Sequence, residues 1–453
     1  MNEPRFAKNR SENPQNPYDQ LQYVGAPMNE IKEVEEDLNL ILNDNEISWL
    51  GALKEILTLS KDPLLGYLCT PVILLVDVAV CNQLGDQNIV AGFGLGALTC
   101  GIMIENPSQG FSYAVARCVA HSYGKGDLKT CKIYRNQFIF LSTCVMAILC
   151  VPLIFIPYLL AFIGQNAVLI DYASQYVWIV LPGIYFANQG LVQQVYAESM
   201  RHTRVRRDAT ALSALIHIIA IFVLVYVLEY GFRGVCVATS ISLGSRFFTA
   251  LFFVKRIEAN FEPEVQEVTF FSKATFRNLG PQLLLGVQSA GMSVWGYWAL
   301  DIFTLMASYL SINAIAAQTI MRSIGMYSYM LPVALATTAS TLIGNSIGAE
   351  SKPLIFHYYK VLMCMALLVG LLEAGLFYVF RDFVVSLFAD EEAVKSEIEY
   401  IWWIFLMFVV LDAISSVSAN SVRATGRQNL GCQMTFVTFF MIGIPSAFVL
   451  AFI

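Results

Sequence analysis

Three aspartates sit where an apolar chain has least use for them. Asp77 stands in LLGYLCTPVILLVDVAVCNQL (64–84), twenty-one residues with one charge, long enough to cross a hydrocarbon core of about 30 Å as a helix. Asp301 ends the run GYWALD and Asp412 lies in VLDAISS, each within its own apolar stretch. A carboxylate at such depth costs roughly 3 kcal/mol by insertion scales, so the default reading is that it faces a cavity and works there. Low dielectric disfavours the charged form, and an arriving cation restores it, so a proton and a cation compete for one carboxylate. That competition becomes antiport when the site opens alternately to the two sides of a membrane. The other reading of each aspartate is a hydrogen bond that ties helices together.

Several neutral or weakly basic groups share this setting. Asn188 and Gln193 offer ligands to a cation or substrate, or simple interhelical hydrogen bonds. His217, in SALIHIIAIF, is the one histidine at a helix centre, a proton relay or a packed polar contact. Glu105, in MIENPSQG, is followed by Pro107, whose missing N–H opens the helix locally; lumen-facing and structural readings both stand. Arg322 cannot shed its proton and needs a partner, expected to be a carboxylate of the second half, which it would keep ionised. Arg117, Arg246 and Glu373 read as snorkelling or packing residues. Trp295, Tyr297, Trp298, Trp402 and Trp403 either line a cavity for flat organic cations through their ring faces or form an interfacial belt.

The elements that must carry these residues follow from composition. Hydrophobic residues make up 57% and charged ones 14%, against about 45–50% and about 25% in soluble domains, which marks an integral membrane protein. A net charge of -6 says little when most of the surface faces lipid, and no nucleic-acid partner is indicated. Ten cysteines, mostly in apolar runs and without a C-x-x-C, point to neither zinc nor a disulfide framework, and no cofactor is called for. HExxH, nucleophile-elbow and P-loop patterns are missing, which argues against a membrane enzyme. The polar opening MNEPRFAKNRSENPQNPYDQ reads as part of a disordered tail over 1–50, and NEIKEVEEDLNLILNDNEISWLGALKEIL as an acidic amphipathic helix at the membrane surface. Eleven helical crossings are expected near 60–84, 88–120, 134–164, 172–200, 208–229, 233–254, 278–310, 313–345, 358–381, 394–423 and 430–453. With the amino terminus in the cytoplasm, the inner connections hold sixteen lysines and arginines and the outer ones only Arg233, Arg381 and Lys395, a clear positive-inside bias.

The chain also repeats itself. Displaced by 224 residues, YVWIVLPGIYFANQGLVQQVYAES (176–199) falls on YIWWIFLMFVVLDAISSVSANSVR (400–423), Asn188 on Asp412, Asp77 on Asp301, and SYGKGD (122–127) on SIGAES (346–351). Two homologous lobes that start from the same side form a parallel repeat about an axis along the membrane normal, as in transporters. The expected organisation is an amino-terminal lobe at 51–256, a cytoplasmic linker at 257–277 and a carboxy-terminal lobe at 278–453. Ile453 falls on Glu229, so the second lobe is read as one helix short of an all-α fold of twelve.

These halves resemble the multidrug and toxic compound extrusion (MATE) family of secondary antiporters from about residue 50 onward. The resemblance is most specific in MLPVALATTASTLIGNSIGAES (330–351), similar to the family's Pro, small residues and V/I-G/S-N-x-L/I-G-A-G ending. GFSYAVARCVAHSYGKGD (110–127) looks like its first-half partner, with His121 in a Gln position, while SVRATGRQN (421–429) and GVCVATSIS (234–242) echo two further motifs. The resemblance maps Asp77 onto an aspartate of helix one found in prokaryotic members. It maps Asp301 onto the second glutamate of the eukaryotic E-W-W-x-Y/F-E signature, whose first is Gly296 here, and Asp412 onto the acid of helix ten. His217 lies where relatives often carry Asn or His. What the family implies is a monomeric antiporter in the plasma membrane or an endomembrane such as the vacuole. It would export organic, cationic small molecules against H+, the better bet, or Na+; the alternative is a related flippase for lipid-linked or amphipathic solutes, which would want a basic cavity.

Overall fold

The computed structural model describes residues 48–388 and 392–453, so the tail and the amphipathic segment up to residue 47 lie outside the described residues. Among the described residues every regular element is helical. The first half consists of α1 (Trp49–Gln83), α2 (Gln87–Gly124), α3 (Leu128–Phe162), α4 (Ala167–Ser199), α5 (Arg204–Val227) and α6 (Gly231–Glu258). The second half consists of α7 (Leu279–Ser308), α8 (Ile312–Ser328 continuing as Met330–Gly348), α9 (Lys352–Val379), α10 (Glu392–Ala424) and α11 (Gln428–Phe452). Ten stretches are long and apolar enough to span a bilayer, the second segment of α8 among them. The helix α7, 30 residues with Asp301 as its only charge, adds one more by length.

Local chemistry sets the helix starts. Asp86 accepts from the Asn88 amide at 2.8 Å, Asp127 from Thr130 at 2.9 Å, and Ser311 from Ala314 at 2.9 Å, each filling an orphan first-turn donor. At the start of α1 the structure departs from expectation. The helix begins at Trp49, with Ser48 capping the Gly51 amide at 3.1 Å, so the last turns of the supposed surface helix belong to the first crossing. Its charges are tolerated because they are paired: Asp62, 2% exposed, meets Arg207 at 2.7 Å and Thr203 at 3.1 Å. In α2 the turn Gly101–Glu105 is wound as a π-helix just before Pro107, whose ring cannot donate to the preceding turn.

The repeat is visible in the boundaries themselves. Gly124 and Gly348, Leu128 and Lys352, and Arg204 and Gln428 end or begin helices 224 positions apart. One difference stands out at the α4–α5 turn. Arg201 there has φ 68°, whereas the matching turn between α10 and α11 uses Gly426 at φ 79°. A side chain in that left-handed region costs about 1–2 kcal/mol that glycine avoids.

The outer faces carry exposed large apolar side chains, Phe162 at 92% and Leu450 at 88% among them, as a lipid-facing surface requires. The two halves meet along the ends that carry the basic turns. There Ser60 and Thr338 hydroxyls are 2.9 Å apart, His121 Nε2 lies 2.7 Å from the Ala424 carbonyl, and Thr341 donates to the Glu198 carbonyl at 3.2 Å. The packing leaves no space: a Cβ on Gly124 would lie 2.1 Å from the Asn345 carbonyl oxygen, and one on Gly348 2.2 Å from that of His121. Among the described residues, the hydrogen bond between halves farthest from this end runs from Trp298 Nε1 to the Ile102 carbonyl at 3.4 Å. The segment joining the halves is fastened to α3, with Lys132 donating to the carbonyls of Val265 (3.2 Å) and Gln266 (3.1 Å) and Gln137 to that of Arg277 (2.9 Å).

Inside the first half, α4 and α6 pack at Gly183, where a Cβ would come 2.7 Å from Ser240 Cα. Gly183→Val is expected to lower stability by about 1–3 kcal/mol through overpacking. Gly94→Ala, at a position with open space on every side, is expected to be neutral. Melting curves of the two purified variants in detergent check both.

Candidate functional site

Three helices of the first half converge on Asp77. The side chain is 2% exposed; its Oδ1 lies 3.1 Å from Nε2 of His217 on α5, and Thr239 on α6 donates its hydroxyl to Oδ2 at 2.9 Å. His217 is fully buried, and its Nδ1, its Nε2 and the facing Asp77 Oδ1 make no hydrogen bond of good angular geometry, so the two groups are close without being locked together. One acid and one imidazole are thereby enclosed in an apolar wall that includes Val80, Cys81, Val235 and Cys236. The arrangement can hold a proton between a carboxylate and a ring nitrogen, and it offers a hydroxyl to whichever charged form results. Thr239 did not figure among the candidates singled out from the sequence, although a hydroxyl in the GVCVATSIS helix was the available signal.

The equivalent position of the second half is built differently. Asp301 Oδ1 lies 2.6 Å from Arg322 Nη1, and the same guanidinium nitrogen reaches Thr304 Oγ1 at 3.5 Å. The two side chains are 17% and 26% exposed, so the pair is mostly removed from water. A guanidinium keeps its charge and holds the carboxylate ionised beside it. The partner expected for Arg322 is the one found.

Asp412 on α10 is half-buried and has no hydrogen bond or ion pair among the described residues. It lies within electrostatic reach of Tyr297, Tyr329 and Glu373. Glu373 in turn accepts from the Ser328 hydroxyl at 3.4 Å, so it belongs to the interior of the second half rather than to a snorkelling fringe. Asn188, the repeat partner of Asp412, is 3% exposed and accepts from Ser112 at 2.8 Å, with its Nδ2 unpartnered. Gln193 is 1% exposed and its Oε1 has no partner. Glu105 occupies the π turn, within electrostatic reach of Arg246, which donates to Gln194 Oε1 at 3.2 Å.

The eight residues thus fall into separate places. Asp77 and His217 come together, Asp301 and Arg322 come together, and Asp412, Asn188, Gln193 and Glu105 each occupy surroundings of their own. The aromatic residues divide as well. Trp295 packs edge-on against Trp298, Phe436 and Phe440, Trp402 is a core residue at 1% exposure, and Trp403 is 61% exposed on the outer surface. Between the halves the Arg423 guanidinium sits 5.7 Å from the Tyr113 ring centre and donates to Ser293 at 2.7 Å. Beside it, at Asn420, a space of about 20 Å³ is lined by Tyr113, Glu198, Thr337, Thr341 and Asn420. That is room for a water molecule and no organic solute.

Comparisons with known proteins come to the same architecture. The sequence profile named MatE matches residues 64–251 and 289–449, most of both halves. Multidrug and toxin extrusion protein 1 of Danio rerio is 23% identical over 424 residues, covering 90% of this chain and 68% of its own length. Protein DETOXIFICATION 16 of Arabidopsis thaliana is 24% identical over 349 residues, 76% of this chain and 70% of its own. The crystal structure of a eukaryotic MATE transporter superposes with a TM-score of 0.82 at 18% identity, covering 89% of this chain and 90% of that one, and this likeness shows the fold.

Removing one charge of the Asp301 pair strands the other in low dielectric. Arg322→Gln is expected to cost about 2 kcal/mol, discounted for the partial exposure of both groups, and Arg322→Gln with Asp301→Asn to restore most of it. Unfolding titrations of the two single variants and the double variant measure the coupling.

Proposed function

Because this chain belongs to the MATE family of multi-pass membrane transporters, we propose that it exports organic cations in exchange for protons, with 51–256 and 278–453 rocking as two lobes. The reading is carried by one observation, the buried contact of Asp77 with His217 at 3.1 Å. A sodium site favours several oxygen donors, whereas here an imidazole nitrogen stands beside the carboxylate, which suits a proton. Asp412, free of ion pairs among the described residues, is the carboxylate available to a cationic substrate in the second lobe. Asp301, held by Arg322, serves as structure.

The sixteen-to-three distribution of basic residues supports a cytoplasmic side for the closed ends of the lobes, together with residue 48. Tight contact there and the one-water space above it support a state shut to the cytoplasm. A cation leaves from such a state on the far side, and a proton entering there is positioned to take its place on the carboxylate. The tyrosines near Asp412 offer ring faces to a flat cation. A second reading has one observation in its favour: Arg246 and Arg423 each bury an Nε atom without a partner, which would suit a substrate bearing an anionic group.

Efflux of a fluorescent organic cation from proteoliposomes under an imposed pH gradient tests the proposal. The gradient is expected to drive efflux in the wild type and in Asp301→Asn, provided the latter folds. Asp77→Asn is expected to fall to the rate seen without a gradient. A wild type driven by Na+ alone, or an Asp77→Asn variant still driven by pH, would overturn the proton assignment. Efflux of zwitterionic or anionic solutes only would favour the second reading.

A further inference from the structure

Arg201, the second residue past the end of α4, has φ 68°, and the residue in the same place past the end of α10 is Gly426 at φ 79°. The turn itself therefore does not call for an arginine. What the side chain gains is a place where both halves meet. Its Nη1 lies 2.7 Å from Oε1 of Glu55 on α1, and the other oxygen of Glu55 accepts from the hydroxyl of Tyr358 on α9, across the division between halves. With the amide oxygen of Asn345 turned towards Arg201, Nε of the arginine donates to it at 3.2 Å. In that orientation Asn345 Nδ2 donates to the carbonyls of Ala120 at 3.0 Å and Ser199 at 3.2 Å, both in the first half. Asn345 sits on the turn of α8 whose carbonyl closes over Gly124. The ion pair is 10% and 16% exposed, so salt and water weaken it little.

We propose that Arg201 is a latch: through Glu55 to Tyr358 and through Asn345 it fastens the second half to the first at the basic end, and its release precedes opening on that side. Two charge-assisted hydrogen bonds from one guanidinium reach two separate helices of the second half, α8 directly and α9 by way of Glu55. The latch rests on the two-lobe reading of the transport cycle but on no substrate or ion.

Hydrogen exchange read by mass spectrometry on the purified protein tests it without any gradient. Arg201→Gly removes the latch and relieves the backbone, so its melting temperature is expected to stay close to that of the wild type. Exchange at segments 117–128 and 342–351 is expected to rise by about tenfold, the loss of one to two hydrogen bonds. Tyr358→Phe, which removes a hydroxyl and little else, is expected to raise exchange at the same segments by a smaller factor. Wild-type exchange at both segments in Arg201→Gly would overturn the latch, as would an increase spread evenly over α3 and α11, which would mark a merely structural arginine. Failure of pH-driven efflux in the wild type would sink the proton assignment and leave this result standing.

Discussion

A charge inside hydrocarbon has no water to lean on, so it needs a counterpart within the protein or must give up its charge. Several pairs at the helix interfaces of the first half obey that constraint closely. Arg206 meets Glu198 with Arg206 stacked 4.8 Å from the Tyr67 ring centre, Arg135 meets Glu258, and Asp62 meets Arg207. Each joins elements of the first half, so these charges are neutralised without calling on the second. Cross-half contacts are then mostly neutral hydrogen bonds and glycine-permitted close approaches. With that division, separating the halves would strand few charges.

Against that background the repeat becomes informative through its asymmetry. Asp77 and Asp301 are the same position of the two halves, yet one faces an imidazole and the other a guanidinium. A group that can trade its proton and a group that cannot make opposite uses of one inherited carboxylate. Asn188 and Asp412 diverge in the same way, the amide bonded to Ser112 and the acid left without an ion pair. Duplication supplied the scaffold, and the partner across the helix interface decides the chemistry.

Much of this was legible in the residue order because membrane helices advertise themselves. The observed helices lie within a few residues of the expected crossings except α1, which begins at Trp49, within the stretch including Glu55 that was read as a surface helix, and carries Asp62. Those carboxylates are paired by Arg201 and Arg207 from a distant turn, and no local pattern announces a partner about 145 residues away. The fold and its family were readable from the offset of 224 and the MLPVALATTASTLIGNSIGAES run. That Arg322 would need a carboxylate of the second half was readable from necessity, but that it is Asp301 was not. The pairing of Asp77 with His217, and the place of Asn345 between the halves, were not. Both depend on the rotation of helices about their axes, which periodicity constrains only loosely when apolar residues surround the whole circumference.

If a proton is held by Asp77 and His217 and displaced when a cation binds, purified protein must release it on binding alone. A pH-indicating dye in weakly buffered detergent solution, followed during titration with an organic cation, counts that release directly. The account predicts about one proton per cation bound by the wild type, and none from Asp77→Asn at matched occupancy. Equal release from both proteins would contradict it and move the exchange of proton for cation to another carboxylate.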